Sequence, residues 1–160
     1  PLYSSAASDV YKRQEYAAAI SDDGKLLFVA SDRKCSRGGF DIYVSKKDHS
    51  GAWGRLKNLG RIINTSFDES SPVPVKSGKV LFFSSKGHYN MGGYDIFYSM
   101  VENKKWTTPV NLGSPINSTG DNFFYYPAGN GKTGYISRFG SNGGSEDIYK
   151  LEIRSNLPDF

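Results

Sequence analysis

The 160-residue sequence lacks the features of disulfide-linked, membrane-spanning and helical-repeat proteins. It has one cysteine, Cys35, so no disulfide can form within the chain. Its longest apolar runs, such as residues 26–30, are far too short to cross a bilayer. Apolar residues do not recur with the 3.6-residue period of an amphipathic helix, which argues against helical solenoids. We therefore expect no membrane-spanning segment and few or no helices.

The motifs of common catalytic and metal sites are also missing. His49 and His88 do not have the Cys/His spacing of a zinc site, and we expect both to be surface residues. No nucleophile elbow, Walker loop or dinucleotide fingerprint occurs. The Gly-Gly pairs precede strands and not helices, so they do not form phosphate cradles. We predict no enzyme activity, no cofactor and no bound metal.

The charge balance is modest. The chain has 20 Lys+Arg against 16 Asp+Glu, a formal net charge of +4, and the excess lies within residues 1–80. A nucleic-acid-binding surface usually shows a denser basic stripe. We therefore predict a solvated, mildly basic face and no nucleic-acid partner.

The sequence is rich in turn-forming and strand-forming residues. Its 18 glycines, 11 tyrosines and 10 phenylalanines favour short strands joined by tight turns. An apolar content of 38% with 22% charged residues is typical of a folded globular protein. The composition therefore predicts an all-β fold.

Three stretches of the chain are alike at a spacing of about 53 residues, the signature of a repeat architecture. Gly-Gly-Phe-Asp-Ile-Tyr at 38–43 recurs as Gly-Gly-Tyr-Asp-Ile-Phe at 92–97, and again at 143–149 with one residue inserted. Other landmarks repeat in step. They are Trp53 with Trp106, Asn-Leu-Gly at 58–60 and 111–113, Ile-Asn at 63–64 and 116–117, and Asp68 with Asp121.

Each repeat is predicted to contain short antiparallel strands. In the second copy the predicted strands are residues 71–75, 79–85, 94–101 and a weaker 106–112. The same layout fits residues 17–59, and the third copy has strands at 122–127, 133–138 and 147–153 without a fourth. The second strands are apolar on both faces, so we expect both faces to be covered. Four-stranded units stacked in series indicate β-propeller blades, with a sandwich of packed sheets as the alternative.

These patterns divide the chain into five segments. Residues 1–14 match nothing in the repeats and are predicted to be a non-native or disordered leader. The blades are 15–64, 65–117 and a partial 118–153, followed by a tail at 154–160. Propellers typically have about 4–8 blades. About three open blades would leave edges unpaired, so we expect self-association of the isolated chain.

The repeats resemble two known groups of propellers. Residues 21–28, followed by 39–43, resemble TolB-type repeats, which are similar to Trp-Asp repeats. Residues 106–117, together with 120–124, resemble the propeller region of OmpA-family envelope proteins of Bacteroidota, some similar to the peptidoglycan-anchoring component of the Por (type IX) secretion apparatus. The resemblance implies a periplasmic, outer-membrane-associated protein with envelope protein partners. Peptidoglycan would be bound only through a domain absent from this chain.

Residues that recur in register are interpreted as structural. A glycosidase would place different acids on different blades, whereas here the same acidic position repeats. We therefore predict that the repeated carboxylates stabilise turns. The structural set comprises Asp41, Asp95, Asp147, Asp68, Asp121, Trp53 and Trp106.

The loops between second and third strands carry the most distinctive side chains. We predict that they project from one face and contact a partner protein or an anionic glycan. The candidate interaction residues are Arg33, Lys34, Arg37, Lys86, His88, Tyr89, Arg138 and Phe139. In the alternative interpretation, Lys86 and Arg138 only pair with neighbouring carboxylates.

The leading hypothesis for function is a non-enzymatic interaction scaffold that docks envelope or secretion components. The alternatives are a fragment of a propeller enzyme, such as a glycosidase or a serine-peptidase propeller, and a glycan-binding module using Tyr89 and Phe139.

Overall fold

The computed structural model describes residues 14–128, 133–139 and 146–152, and within them the chain forms strands and no helix. The predicted all-β class is confirmed. Three antiparallel sheets follow one another along the chain. Within these residues, no helix has the length and apolar character needed to cross a membrane.

The strands are numbered in chain order. Sheet 1 contains β1 (Glu15–Ile20), β2 (Leu26–Ser31), β3 (Asp41–Lys46) and β4 (Lys57–Asn58). Sheet 2 contains β5 (Glu69–Val75), β6 (Val80–Ser85), β7 (Asp95–Glu102), β8 (Lys105–Trp106) and β9 (Val110–Asn111). Sheet 3 contains β10 (Phe123–Ala128), β11 (Thr133–Phe139) and β12 (Glu146–Glu152).

The first three strands of sheet 2 lie within two residues of their predicted bounds, but the fourth differs. The predicted strand 106–112 is split into β8 and β9, which both pair with β7. Thr107 interrupts it, because its Oγ1 accepts the Met100 N–H at 3.0 Å while its own N–H donates to the Met100 carbonyl at 2.8 Å. Pro109 then supplies no N–H for pairing. The outer edge of sheet 2 is therefore irregular.

Sheet 2 is covered on both faces, as its apolar β6 predicts. Alternate residues of β6 enter two different buried clusters. Val80 and Phe82 pack with Tyr125 and Ile136 of sheet 3. Leu81 and Phe83 pack with Phe28, Ile42 and Ile63 from the first repeat. The core thus lies between consecutive sheets, and each sheet depends on its neighbour for burial.

Consecutive sheets are joined by a contact that occurs twice, here called the sheet clasp. In the first clasp Asp68 Oδ1 accepts the Phe40 N–H at 3.0 Å, and the Glu69 N–H donates to the Phe40 carbonyl at 2.7 Å. In the second, Asp121 and Asn122 bind Tyr94 in the same way, at 2.8 and 2.7 Å. The clasp fixes the start of each sheet to the loop that precedes the third strand of the sheet before it.

The Gly-Gly pairs at 38–39 and 92–93, here called the Gly-Gly anchors, leave room for the backbone and the carboxylate of the next sheet to approach closely in the clasp. A Cβ on Gly38 would overlap the Phe67 carbonyl, and one on Gly39 would overlap the Asp68 carboxylate. Gly92 and Gly93 face the Thr119 carbonyl and the Asp121 carboxylate in the same way. These positions need glycine for space, since none of the four has a positive φ.

A second repeated network, here called the asparagine brace, fastens the segment after the last strand. Asn64 accepts the Ile42 N–H at 2.8 Å, donates to the Ile42 carbonyl at 2.9 Å, and donates to Asn58 Oδ1 at 2.9 Å. Asn117 makes the same three bonds with Ile96 and Asn111. A buried amide that satisfies the backbone of a neighbouring strand in this way replaces a missing ladder partner.

Replacing Gly38 by alanine should destabilise the fold by at least about 2 kcal/mol, because the Phe67 backbone must move to make room. Urea unfolding followed by circular dichroism measures the change. Gly120→Ala is the matched control, since the nearest atom to its added Cβ would be Ser118 Oγ at 3.9 Å. Equal stability of the two variants would contradict the space requirement at the clasp.

Glu69 places a carboxyl group in the first clasp with no exposed surface. It accepts bonds from the Thr65 N–H at 2.8 Å, the Thr65 hydroxyl at 2.6 Å and the Ser85 hydroxyl at 2.8 Å. Burial outweighs these bonds and, with a smaller effect from the Asp41 charge, raises the pKa of Glu69 from 4.5 to about 7. Asn122, a neutral residue, stands at the matching position of sheet 3.

The raised pKa predicts that stability falls as pH increases from about 4.5 to above 7. Below this window the Glu69 carboxyl is protonated in both states; within it the folded state keeps a proton that the unfolded state loses. The contribution lost is up to about 3 kcal/mol. Comparing the free energy of unfolding of wild type and Glu69→Gln across this range isolates it, because His88 titration is common to both proteins. A pH dependence unchanged by Glu69→Gln would contradict the assignment.

Candidate functional site

The two repeats that the structure describes most fully differ in charge at one place beside sheet 1. A cavity of about 500 Å³ there is lined by four cationic side chains, Arg33, Lys34, Arg55 and Lys57. Cys35, Tyr43, Leu56 and Asn58 complete the lining. We call this cavity the basic pocket.

The loop between β2 and β3 forms one side of the basic pocket and is held by internal hydrogen bonds. Ser36 Oγ donates to the Ser31 carbonyl at 3.1 Å and lies 3.0 Å from the Tyr43 hydroxyl. The Asp41 carboxylate accepts the N–H groups of Arg37 and Gly38 at 2.9 and 3.1 Å. Asp41 also accepts from Asn58 at 2.6 Å, which ties β4 on the other side of the pocket to the same carboxylate.

Three of the four pocket cations have no carboxylate partner among the residues described. Arg33 is engaged: its Nη2 lies 2.6 Å from the Glu15 carboxylate, its Nε donates to Ser31, and its guanidinium lies 5.6 Å from the Tyr43 ring centroid. Lys34, Arg55 and Lys57 are exposed, and the described part of the chain places no acidic group within ion-pair distance of them. Within the described residues, the positive charge of these three side chains therefore has no ion-pair partner.

The matching positions of sheet 2 carry no lysine or arginine. Gly87, His88, Thr108 and Val110 stand where Arg33, Lys34, Arg55 and Lys57 stand in sheet 1. The His88 ring packs against Phe83 and Phe97 at 5.8 and 5.3 Å, and its Nε2 donates to the Ile63 carbonyl at 2.9 Å. Burial lowers the pKa of His88, which favours the neutral ring. The prediction that His88 is a surface residue is wrong, whereas His49 is exposed as predicted.

The other candidates of the β6–β7 loop have different surroundings. Lys86 Nζ lies 3.6 Å from Asp68 Oδ2 and 4.4 Å from the Tyr94 ring centroid, so it pairs with a neighbouring carboxylate as the alternative interpretation expects. Tyr89 is 97% exposed, which leaves its ring free to contact another molecule. On the β2–β3 loop Arg37 is exposed, and its backbone N–H donates to Asp41.

The repeated aspartates have hydrogen bonds to the backbone. Asp41 and Asp95 each accept a loop N–H and the side-chain amide of Asn58 or Asn111, while Asp68 and Asp121 form the clasps. Asp147 differs, since it is exposed at the start of β12. Residues 14–128, 133–139 and 146–152 contain no group of three or more His, Cys, Asp or Glu arranged to hold a metal.

The two tryptophans take different places. Trp53 is 38% exposed and lies under the Lys47 ammonium at 5.3 Å. Trp106 packs against the cluster of Phe28, Ile42 and Phe97 between sheets 1 and 2. Only the second therefore contributes to the core between sheets.

The backbone of Arg138 and Phe139 belongs to β11, in register with Asp147 and Glu146 of β12, so β11 extends one residue beyond the predicted strand 133–138. Their role as interaction residues stays a prediction. The loop residues 140–145, with the rest of this prediction, lie outside the described residues.

Comparison with known proteins gives no assignment. No family model matches the sequence. A search of curated proteins also finds no match.

The sequence prediction missed Arg55 and Lys57, although a signal for them was present. They precede the Asn-Leu-Gly landmark, where the second repeat has Thr108 and Val110. A comparison of the two repeats for charged residues present in only one of them would have identified both residues.

The unpaired cations should accelerate attack of Cys35, an exposed free thiol, on an anionic reagent. Dianionic 5,5′-dithiobis(2-nitrobenzoate) should react about threefold to tenfold more slowly with Arg55→Thr/Lys57→Val than with wild type at low salt. The rate with neutral 4,4′-dithiodipyridine should not change. Stopped-flow absorbance measures both rates, and equal slowing with the two reagents would indicate a structural change and contradict the electrostatic explanation.

Proposed function

We propose that this chain is a non-enzymatic protein-interaction scaffold, formed by consecutive blades of a β-propeller in a periplasmic, outer-membrane-associated protein of the OmpA family. One observation carries the proposal. The recurring acidic residues Asp41, Asp95, Asp68 and Asp121 are bonded to backbone, while the charged and aromatic residues that break the repeat lie in exposed loops. A rigid repeated frame with variable loops is the arrangement typical of binding scaffolds.

The propeller architecture is supported by the order of the sheets and by the clasps. Each sheet is an antiparallel meander, and β5, the first strand of sheet 2, contacts β1 and β2 of sheet 1. The first strand of sheet 3, β10, contacts β5 and β6 in turn. First strands that lie side by side, with sheets packed face to face, fit blades arranged around an axis.

The envelope location and the secretion partners are supported by the resemblance of residues 106–117 and 120–124 to envelope propellers. In this proposal Lys34 and Tyr89, at neighbouring positions of matching loops, contact an envelope protein. A propeller enzyme is less favoured, because the carboxylates of Asp41, Asp95, Asp68 and Asp121 already accept backbone hydrogen bonds. A glycan-binding module remains the second candidate, because Tyr89 presents an aromatic ring that is 97% exposed.

Site-specific photo-crosslinking tests the scaffold proposal. A photoreactive phenylalanine at position 34 or 89 should crosslink the same protein from a Bacteroidota envelope extract. The same group at position 79, an exposed turn between β5 and β6, is the control and should not. Crosslinks that are as frequent from position 79, or absent from positions 34 and 89, would contradict the proposal.

The alternatives give different results. Turnover of chromogenic glycosides or peptide amides that is lost in Asp68→Asn/Asp121→Asn would establish an enzyme. Glycan-array binding that is lost in Tyr89→Ala would establish a glycan-binding module. Tyr89→Ala should change the free energy of unfolding by less than about 0.5 kcal/mol, because its side chain is exposed, so such a loss would report binding.

A further inference from the structure

We propose that the basic pocket beside sheet 1 binds acidic side chains from an extended segment of a partner protein. The inference rests on the proposed function and assigns one contact site of the scaffold. The pocket is formed by the β2–β3 loop and the residues around β4, at the outer edge of sheet 1.

The charge of the pocket favours an anionic occupant. Lys34, Arg55 and Lys57 converge on one cavity without a carboxylate partner in the described part of the chain. Three cations held together repel one another, and an anion placed among them relieves this repulsion. Arg33, which lines the same cavity, already binds the Glu15 carboxylate at 2.6 Å. A carboxylate can therefore bind at least one of the cations that line the pocket.

The matching place in sheet 2 shows where an acceptor would lie. There the Ile63 carbonyl, from a different segment, meets His88 Nε2 at 2.9 Å. Lys34 occupies the His88 position in sheet 1. An acceptor oxygen brought to the corresponding point would meet an ammonium group, which forms a stronger bond with a carboxylate than with a neutral carbonyl.

The N–H groups at the end of the β2–β3 loop are not free to bind phosphate. Phosphate sites commonly use free backbone N–H groups in a nest or at a helix N-terminus. In the β2–β3 loop, the N–H groups of Arg37 and Gly38 already donate to Asp41. The cations that remain are on separate flexible side chains, and a volume of about 500 Å³ can admit one or two acidic side chains.

The cations are not required by the fold. Sheet 2 keeps the same brace and clasp with Thr108 and Val110 at the positions of Arg55 and Lys57. The cations of the basic pocket are therefore not explained by folding. Their grouping in one cavity is expected if they bind a ligand. The same comparison supplies a substitution that the fold already accommodates.

Binding of a fluorescein-labelled peptide of alternating glutamate and glycine to the full chain tests the proposal by fluorescence anisotropy. Arg55→Thr/Lys57→Val should weaken binding at least about tenfold. Lys79→Thr/Lys105→Thr removes the same charge from exposed positions of the second repeat and should weaken it less than about twofold. Equal weakening by both variants, or no binding by wild type, would overturn the proposal.

Cys35 reports whether the peptide occupies the pocket. The peptide should slow alkylation of Cys35 by neutral N-ethylmaleimide, and unchanged alkylation under saturating peptide would overturn the assignment. Displacement of the peptide by pyrophosphate or a sulfated glycan at lower concentration would also overturn it, in favour of those ligands. Wild-type self-association that is lost in Arg55→Thr/Lys57→Val would instead make a second copy the occupant.

The crosslinking experiment separates failure of this inference from failure of the scaffold proposal. If the acidic peptide does not bind but position 89 still crosslinks its partner, only the pocket assignment fails. If neither is observed, the scaffold proposal fails as well.

Discussion

The structure depends on the contact between an aspartate at the start of one sheet and a backbone N–H of the sheet before it. Asp68 binds Phe40 and Asp121 binds Tyr94, and both contacts require glycine directly beneath the carboxylate. The clasp sets how closely one sheet approaches the next. The apolar clusters on either side of sheet 2 can form only at this spacing, because buried side chains gain from contact at van der Waals distance.

The asparagine brace solves a related problem at the other end of each repeat. The outermost strands are short, so the backbone of β3 and β7 would lack ladder partners beyond them. Asn64 and Asn117 supply a donor and an acceptor to these strands from the following segment. Leaving the buried N–H groups of Ile42 and Ile96 unpaired would cost about 1–3 kcal/mol each, whereas their carbonyls also accept the N–H groups of Leu59 and Leu112. Clasp and brace together use most of the polar residues that repeat, which leaves the loops free to vary.

The first two repeats differ most at loop positions that belong to neither the clasp nor the brace. At one loop position the first repeat has Lys34, exposed to solvent, and the second has His88, packed between aromatic rings. Both residues are compatible with the same loop conformation, because the carboxylate of Asp41 or Asp95 holds the loop by accepting one of its backbone N–H groups. The charge of the basic pocket is thus a property of one repeat. The clasp between sheets 1 and 2 contains its own departure, the buried acid Glu69 where the next clasp has Asn122.

The sequence by itself determined the repeat, the all-β class, the positions of nearly all strands and the burial of β6 on both faces. These follow from local patterns, since alternation, glycine pairs and apolar runs act over a few residues. The sequence did not predict the split of the fourth strand, the packing of His88 or the pocket formed with Arg55 and Lys57. The packing of His88 and the pocket were decided by tertiary structure, because they depend on segments about 20 residues apart meeting at one place. The split depends on a nearer contact, between Thr107 and Met100. The Gly-Gly anchor shows the difference most clearly: its recurrence was visible in the sequence, but its reason, a carboxylate from the next repeat lying against the backbone, exists only once the sheets pack.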